Sequence, residues 1–221
     1  MSNKTRNFLI SLILILFAIV YIFLVVKVDV QSIGVNNTKV GFASINQAFF
    51  FATGVNMVWY HLTDWLGVVP ILMSFIYAVV GLVQSIKRKG IFKVDKEILL
   101  LGAFYIILIL LYLFFESVII NYRPILMDGF LEASFPSSHT LMAVCICGSS
   151  IIVNNRLLKN KLTNILNIIS LIIIAVTIIG RLISGVHWLT DIIGGIIISS
   201  ALLMTFYSIL QLINNKSNKN S

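Results

Sequence analysis

Six long runs of apolar residues dominate this sequence. They lie near residues 8–26, 66–86, 98–120, 139–154, 163–180 and 190–213. A helix needs roughly 20 apolar residues to cross the hydrocarbon core of a bilayer. Because 59% of the 221 residues are hydrophobic and only 11% are charged, a soluble domain of this size could not bury all six runs. The sequence therefore predicts an all-α fold, a polytopic bundle of six transmembrane helices.

Three features of this predicted bundle need an interpretation. Residues 214–221 are polar and basic, so we predict a membrane domain over residues 1–213 followed by a disordered cytoplasmic tail. The first run resembles a signal peptide but is long and lacks a convincing cleavage site, so we interpret it as a retained helix. The fourth run is about two turns short. We expect its helix to begin within the loop at 134–139 or to be shielded by its neighbours.

The basic residues predict the orientation of the bundle. Of the 16 lysines and arginines, all but Lys27, Lys39, Arg123 and Arg181 fall on one side of the predicted spans. The positive-inside rule places that side, with both termini, in the cytoplasm, and we favour a bacterial plasma membrane. The net charge of +8 follows from this bias, so it does not indicate nucleic-acid binding.

Polar residues near the outer ends of the later spans are the candidate functional residues. Residues 181–191 read Arg-Leu-Ile-Ser-Gly-Val-His-Trp-Leu-Thr-Asp. Ionisable groups are costly inside a membrane and are usually functional there. His187 and Asp191 are four residues apart, so on a helix the carboxylate could orient the imidazole as a nucleophile. The segments at 121–124 and 134–139 add an arginine, hydroxyl groups and a second histidine, which together predict a phosphate site.

The three segments resemble the signature of the type 2 phosphatidic acid phosphatase family. Arg-Pro stands at 123–124, Pro-Ser-Ser-His at 136–139 and Arg-x5-His-x3-Asp at 181–191, in the order of the family. The resemblance implies a lipid phosphate phosphatase without a metal or cofactor, and the distribution of basic residues places its site at the extracytoplasmic face. Its partners would be a lipid phosphate or polyprenyl pyrophosphate substrate and the membrane lipids. The residues do not choose among these substrates, and they leave the oligomeric state open.

The same resemblance assigns roles to the motif residues. His187 would attack phosphorus and form a phosphohistidine, with Asp191 orienting it. His139 would protonate the departing oxygen and later help to activate water. The other motif residues would bind the phosphoryl oxygens, and they are Arg123, Ser137, Ser138 and Arg181.

Three positions depart from the family pattern. Ser138 replaces a glycine, Gly180 replaces a serine, and Glu116 replaces a lysine expected beside the phosphate. On a continuous helix Glu116 would share a face with Arg123. It could form an ion pair with Arg123 or Arg181, accept a hydrogen bond from a substrate hydroxyl and so set specificity, or reduce phosphatase activity. The alternative function is accordingly a non-catalytic or weakly active phospholipid-binding membrane protein.

Two further regions complete the sequence-based picture. Residues 29–65 are too polar for another crossing but rich in aromatic residues, so we predict an interfacial segment that anchors the protein or borders a lipid path. His61 and Asp64 within it could pair or contact a headgroup. Cys145 and Cys147 would point in different directions on a helix, so we expect no disulfide between them. The scattered histidines predict no metal cluster.

Overall fold

The computed structural model describes residues 3–158 and 160–219. The α-helices within this range are α1 (Asn3–Lys27), α2 (Ala43–Thr53), α3 (Met57–Leu66), α4 (Val68–Lys87), α5 (Lys96–Ser117), α6 (Ser138–Leu157), α7 (Lys161–Ser184) and α8 (Leu189–Lys219). Six helical segments are long and apolar enough to cross a membrane, and α3 with α4 forms one of them. The predicted all-α bundle of six spans is confirmed.

Helix α6 lies at the centre of the bundle. Its most apolar window is 61% buried, against 6% for the span formed by α3 and α4. The helix begins at Ser138, inside the predicted loop, and is shielded by α4, α5, α7 and α8. Because α6 is surrounded by protein, its sequence can be less apolar than that of a lipid-facing helix. Its hydroxyl groups still find partners, and those of Ser149 and Ser150 donate to the Ile146 carbonyl within the helix.

Helices α1 and α8 run antiparallel along one side of the bundle. Asn7 Nδ2 donates to Gln211 Oε1 at 2.9 Å near one end, and the Tyr21 hydroxyl donates to the Thr190 carbonyl at 3.0 Å near the other. The end of α7 and the start of α6 meet at the Thr190 end. Candidate functional residues from separate segments can therefore converge there.

The segment at 29–65 packs on the bundle through α3. A Cβ atom on Gly180 of α7 would collide with the Thr63 methyl group and lie 3.0 Å from Trp59 Cε3. A serine at position 180 would require the side chains of Thr63 and Trp59 to shift. The departure from the family pattern at Gly180 therefore affects packing as well as removing a hydroxyl group.

The remaining sequence-based expectations concern α6 and the C-terminus. Cys145 and Cys147 are both buried and free. Helix α8 continues to Lys219, and residues 220 and 221 lie outside the described range. The division into a membrane domain and a disordered tail at residue 213 stays a prediction.

Candidate active site

The segment from Arg181 to Asp191 is a helix–turn–helix junction. Helix α7 ends at Ser184, and Gly185 has a left-handed φ of +68° before α8 begins at Leu189. A Cβ atom at Gly185 would also collide with the Gly54 carbonyl. The expected pairing of His187 and Asp191 across one helical face is therefore wrong. His187 lies in the turn, whereas Asp191 lies in the first turn of α8.

Asp191 is fully buried and organises this junction. Its Oδ2 accepts from the backbone N–H of Trp188 at 3.0 Å, which caps the start of α8. The same oxygen accepts from Ser134 Oγ at 2.5 Å, and Oδ1 accepts from Asn121 Nδ2 at 3.0 Å. Asp191 belongs to the third motif, and its partners Asn121 and Ser134 stand just before the first and the second motif. This carboxylate therefore connects all three motifs.

Ser134 connects Asp191 to His187 and fixes the tautomer of the imidazole. His187 Nδ1 lies 3.2 Å from the Ser134 carbonyl oxygen and 3.1 Å from Ser134 Oγ. A carbonyl only accepts, and the hydroxyl donates to Asp191, so Nδ1 carries the proton. His187 Nε2 then bears a lone pair. Among the described residues this buried nitrogen has no hydrogen-bond partner.

The environment of His187 also favours its neutral form. Burial places the pKa of His187 well below its ordinary value of 6.5, and the nearby Arg123, Arg181 and His139 lower it further. A neutral imidazole with a free Nε2 is the form that a nucleophile requires.

Two buried arginines provide positive charge near this nitrogen. Arg181 is 0% exposed, donates from Nη2 to Asp64 Oδ1 at 3.1 Å and lies 4.9 Å from the centre of the Tyr60 ring. Arg123 forms an ion pair with Glu132, with Nε 3.1 Å from Oε2. In the described part of the chain, Nη1 of each arginine and Nε of Arg181 are buried without a hydrogen-bond partner. Burying charged N–H groups that have no acceptor is costly, so the arrangement suits a bound anion.

His139 lies next to the arginines at the start of α6. Its Nε2 is 3.1 Å from Asp64 Oδ1, and its buried Nδ1 has no partner among the described residues. Asp64 contacts His139 and not His61, so the suggested pairing of Asp64 with His61 is wrong. The His61 ring packs edge-on against the Tyr60 ring, with the ring centres 5.2 Å apart.

Ser137 and Ser138 form the turn that leads into α6. Ser137 donates its backbone N–H to the Asp191 carbonyl at 3.0 Å, and its Oγ accepts from Thr140 Oγ1 at 3.1 Å. Ser138 is the first residue of α6 and has a helical backbone, so the residue that replaces the family glycine needs no positive φ. Ser138 also lines a pocket beside His187.

Glu116 lies on the wall of the same pocket, together with Tyr112 and Phe115 of α5. Helix α5 ends at Ser117, so the prediction that Glu116 and Arg123 share one helical face is wrong. The proposed ion pair is also wrong, since Arg123 pairs with Glu132 and Arg181 pairs with Asp64. The hydrogen bond to a substrate hydroxyl and the reduced activity both stay predictions.

The structure therefore brings the predicted site residues to one end of the bundle, and it adds three that the sequence did not assign. Asn121 and Ser134 stand inside the quoted segments, but only the folded loop shows that they bind Asp191. Asp64 comes from α3, more than 50 residues before the first motif. A tertiary contact over that separation leaves no local signal in the sequence.

Comparisons with known proteins bear on the family and the fold. The model of the PAP2 superfamily matches residues 116–214, which include all three motifs, so the predicted family resemblance is confirmed. No curated protein sequence matches the chain. The fold is similar to the crystal structure of the first transmembrane PAP2 type phosphatidylglycerolphosphate phosphatase from Bacillus subtilis. The TM-score is 0.61 at 20% identity, covering 93% of this chain and 96% of that chain.

Proposed function

We propose that this chain, with its match to the PAP2 superfamily over residues 116–214, is an integral membrane phosphatase for lipid phosphates or lipid pyrophosphates. The observation that carries the proposal is the buried Nε2 of His187, which has no partner among the described residues and lies close to two buried arginines. Some guanidinium N–H groups of these arginines likewise lack acceptors within the described part of the chain. A nucleophile and an anion site occupy one place. Phosphoryl transfer needs this combination, together with a proton donor for the leaving oxygen.

The first chemical step forms a phosphohistidine. His187 Nε2 donates its lone pair to phosphorus, and the bond between phosphorus and the leaving oxygen breaks. The leaving oxygen keeps the bonding electrons and receives a proton from His139. Arg123 and Arg181 bind the phosphoryl oxygens and stabilise the charge that develops on them. The Nδ1–H of His187 stays bonded to Ser134 throughout.

The second step releases phosphate. A water oxygen bonds to phosphorus, and His139 accepts a proton from that water. The P–N bond breaks and its electrons return to His187 Nε2, so the site recovers its starting state. Ser134 and Asp191 stabilise the phosphorylated imidazole through the Nδ1–H bond. Every group in this scheme is a side chain of the protein, so we propose a metal-independent reaction.

Part of the pocket lining is apolar, which favours a lipid as substrate. Phe115 and Leu141 lie on its wall beside His187, where they could contact the apolar part of a lipid next to its phosphate. The protein of similar fold is a phosphatidylglycerolphosphate phosphatase, so this lipid is a candidate together with phosphatidic acid and polyprenyl pyrophosphate.

The test is an assay of phosphate release by the purified protein with each of the three substrates, in EDTA and in its absence. We expect release from at least one substrate, and equal rates with and without EDTA. Saturable binding of these lipids without release of phosphate would instead favour the non-catalytic phospholipid-binding protein.

We also propose that the site faces outward, as the distribution of basic residues predicts. The exposed Asp128 lies at the site end of the bundle and the exposed Lys89 at the opposite end. After Cys145 and Cys147 are replaced by serine, a cysteine at position 128 should react with an impermeant thiol reagent in intact cells. A cysteine at position 89 should react only after the cells are broken. The reverse pattern would place the site in the cytoplasm.

A further inference from the structure

Asp64 joins two parts of the site that lie on different helices. Its Oδ1 is 3.1 Å from Nη2 of Arg181 on α7 and 3.1 Å from Nε2 of His139 on α6. The residue itself belongs to α3 and stands outside the matched residues 116–214. A single carboxylate oxygen thus contacts both Arg181, which is proposed to bind the phosphate, and His139, which is proposed to donate the proton.

The backbone around Asp64 is held firmly against the site. The Asn56 N–H donates to the Ser184 carbonyl at 2.9 Å, and the Asn56 side chain caps α3 at Trp59. Gly67, which follows α3, lies so close to His139 that a Cβ atom there would be 2.9 Å from the ring Cδ2. The imidazole therefore packs between Asp64 and the junction of α3 with α4.

From this geometry we infer that Asp64 is a positioning residue for His139, an inference that rests on the proposed phosphatase function. Its carboxylate holds Nε2–H of His139 and leaves the buried Nδ1 to act on the substrate. In the first step the leaving oxygen takes the proton from Nδ1 as its bond to phosphorus breaks. His139 ends this step as a neutral imidazole that still donates Nε2–H to Asp64.

The charges around His139 explain why a carboxylate is needed there. Arg181 and Arg123 approach from α7 and from the loop after α5, and both oppose a positive charge on His139. His187 is also close and is neutral, Glu132 is paired with Arg123, and Asp191 is bound by Ser134, Asn121 and the Trp188 N–H. Asp64 contributes the negative charge that attracts an imidazolium. Without it, the donor would lose both its orientation and its electrostatic support.

Asp64 does not need to leave when the substrate binds. It occupies Nη2 of Arg181, whereas Nε and Nη1 of that arginine are buried without partners among the described residues. The phosphate can therefore bind the free N–H groups while Asp64 keeps its contact with His139. This distinguishes a positioning residue from a carboxylate that merely fills an empty anion site.

The experiment compares two substrates that differ in their need for a proton donor. An alkyl phosphate such as phosphatidic acid leaves as a basic alkoxide, whereas p-nitrophenyl phosphate leaves as a stable anion. We expect Asp64→Asn to lower kcat about 10-fold or more on phosphatidic acid and less than about 3-fold on p-nitrophenyl phosphate. His139→Ala should show the same contrast. The double variant should be little worse than His139→Ala alone.

Matched controls separate this role from a structural one. Asp128→Asn makes the same change at an exposed carboxylate with a left-handed φ of +48°, which asparagine tolerates, and it should leave both rates unchanged. Asp64→Glu keeps the charge and should retain the substrate ratio of the parent even if its stability falls. Equal losses on both substrates in Asp64→Asn, or fully additive losses in the double variant, would overturn the positioning role.

Failure of the proposed function would look different. A parent protein that releases phosphate from none of the three candidate lipids nor from p-nitrophenyl phosphate, or a His187→Ala variant with parental rates, would reject the phosphatase itself. The contrast between substrates in Asp64 variants is read only against an active parent, so the two failures cannot be confused.

Discussion

The two sides of the site differ in how completely their polar groups are hydrogen-bonded. On the His187 side, Asp191 accepts from Ser134, Asn121 and Trp188, and Nδ1 of His187 is held by Ser134. On the arginine side, guanidinium N–H groups and Nδ1 of His139 are buried without partners among the described residues. On the His187 side, Nε2 of His187 is the atom left without a partner among the described residues, whereas the arginine side has several such atoms.

This difference separates orientation from binding. A network of paired donors and acceptors holds one side chain in one tautomer, and here it leaves Nε2 of His187 without a partner among the described residues. Buried cationic donors without acceptors are costly unless an anion binds to them. The comparison predicts that changes on the His187 side reduce kcat, whereas changes on the arginine side weaken substrate binding as well.

The largest effect should come from His187→Ala, because this change removes the proposed nucleophile of the His187 side. We expect phosphate release to fall on the order of 10⁵-fold, because the attacking nitrogen has no substitute. Phosphate release by the purified variant measures this, with His61→Ala as the control because that exposed histidine lies on α3 outside the motifs. Parental turnover in His187→Ala would remove the nucleophile from the scheme.

Arg123→Gln should have the next largest effect, and it tests the arginine side. We expect kcat/KM to fall about 100-fold with a raised KM, since one cationic fork for the phosphate is lost. Arg123→Lys should recover only part of this loss, because an ammonium group cannot form the bidentate contact. Arg88→Gln is the control, as this exposed arginine pairs with Asp95 at the opposite end of the bundle. A fall in kcat without any change in KM would contradict the division between the two sides.

Ser134→Ala should have a smaller effect, because it breaks the ordered network while sparing its backbone contact. The variant loses the hydroxyl between Asp191 and His187, but the Ser134 carbonyl still accepts from Nδ1. We expect kcat to fall about 10-fold with little change in KM. Asp191→Asn should be more severe, because it also changes the partner of Asn121 and of the Trp188 N–H. A Ser134→Ala variant slower than Asp191→Asn would place the essential contact on the hydroxyl instead.

The sequence predicted the bundle well because spacing along one helix is a local property. Apolar runs of the length of a bilayer located all six spans, and the family motifs located the residues around His187. It failed where the chain turns within a motif. Gly185 breaks the helix before His187, and α5 ends at Ser117 before Arg123 is reached, so both predictions from helical periodicity were wrong.

The residues that the sequence did not assign act across long separations. Ser134 reaches His187 and Asp191 through the loop after α5, and Asp64 reaches His139 and Arg181 from α3. Serine and aspartate are common in loops and at membrane surfaces. Their roles follow only from the tertiary contacts, which periodicity and motif spacing do not encode.

Glu116→Gln should have the smallest effect of the four, and it tests whether a third region joins the two sides. Glu116 is exposed, lines the pocket next to His187 and lies beyond the ion pairs that Arg123 and Arg181 form. If its charge only repels the phosphate through solvent, the neutral residue should raise kcat/KM about 3-fold, and Glu116→Lys should raise it further.

If the carboxylate accepts a hydrogen bond from a headgroup hydroxyl, Glu116→Gln should lower kcat/KM for phosphatidylglycerol phosphate and raise it for phosphatidic acid, whose headgroup has no hydroxyl to donate. Measuring both lipids at two salt concentrations distinguishes the two cases, because only the long-range repulsion is screened. Unchanged rates on every lipid in both variants would place Glu116 outside the site, although its side chain borders the pocket.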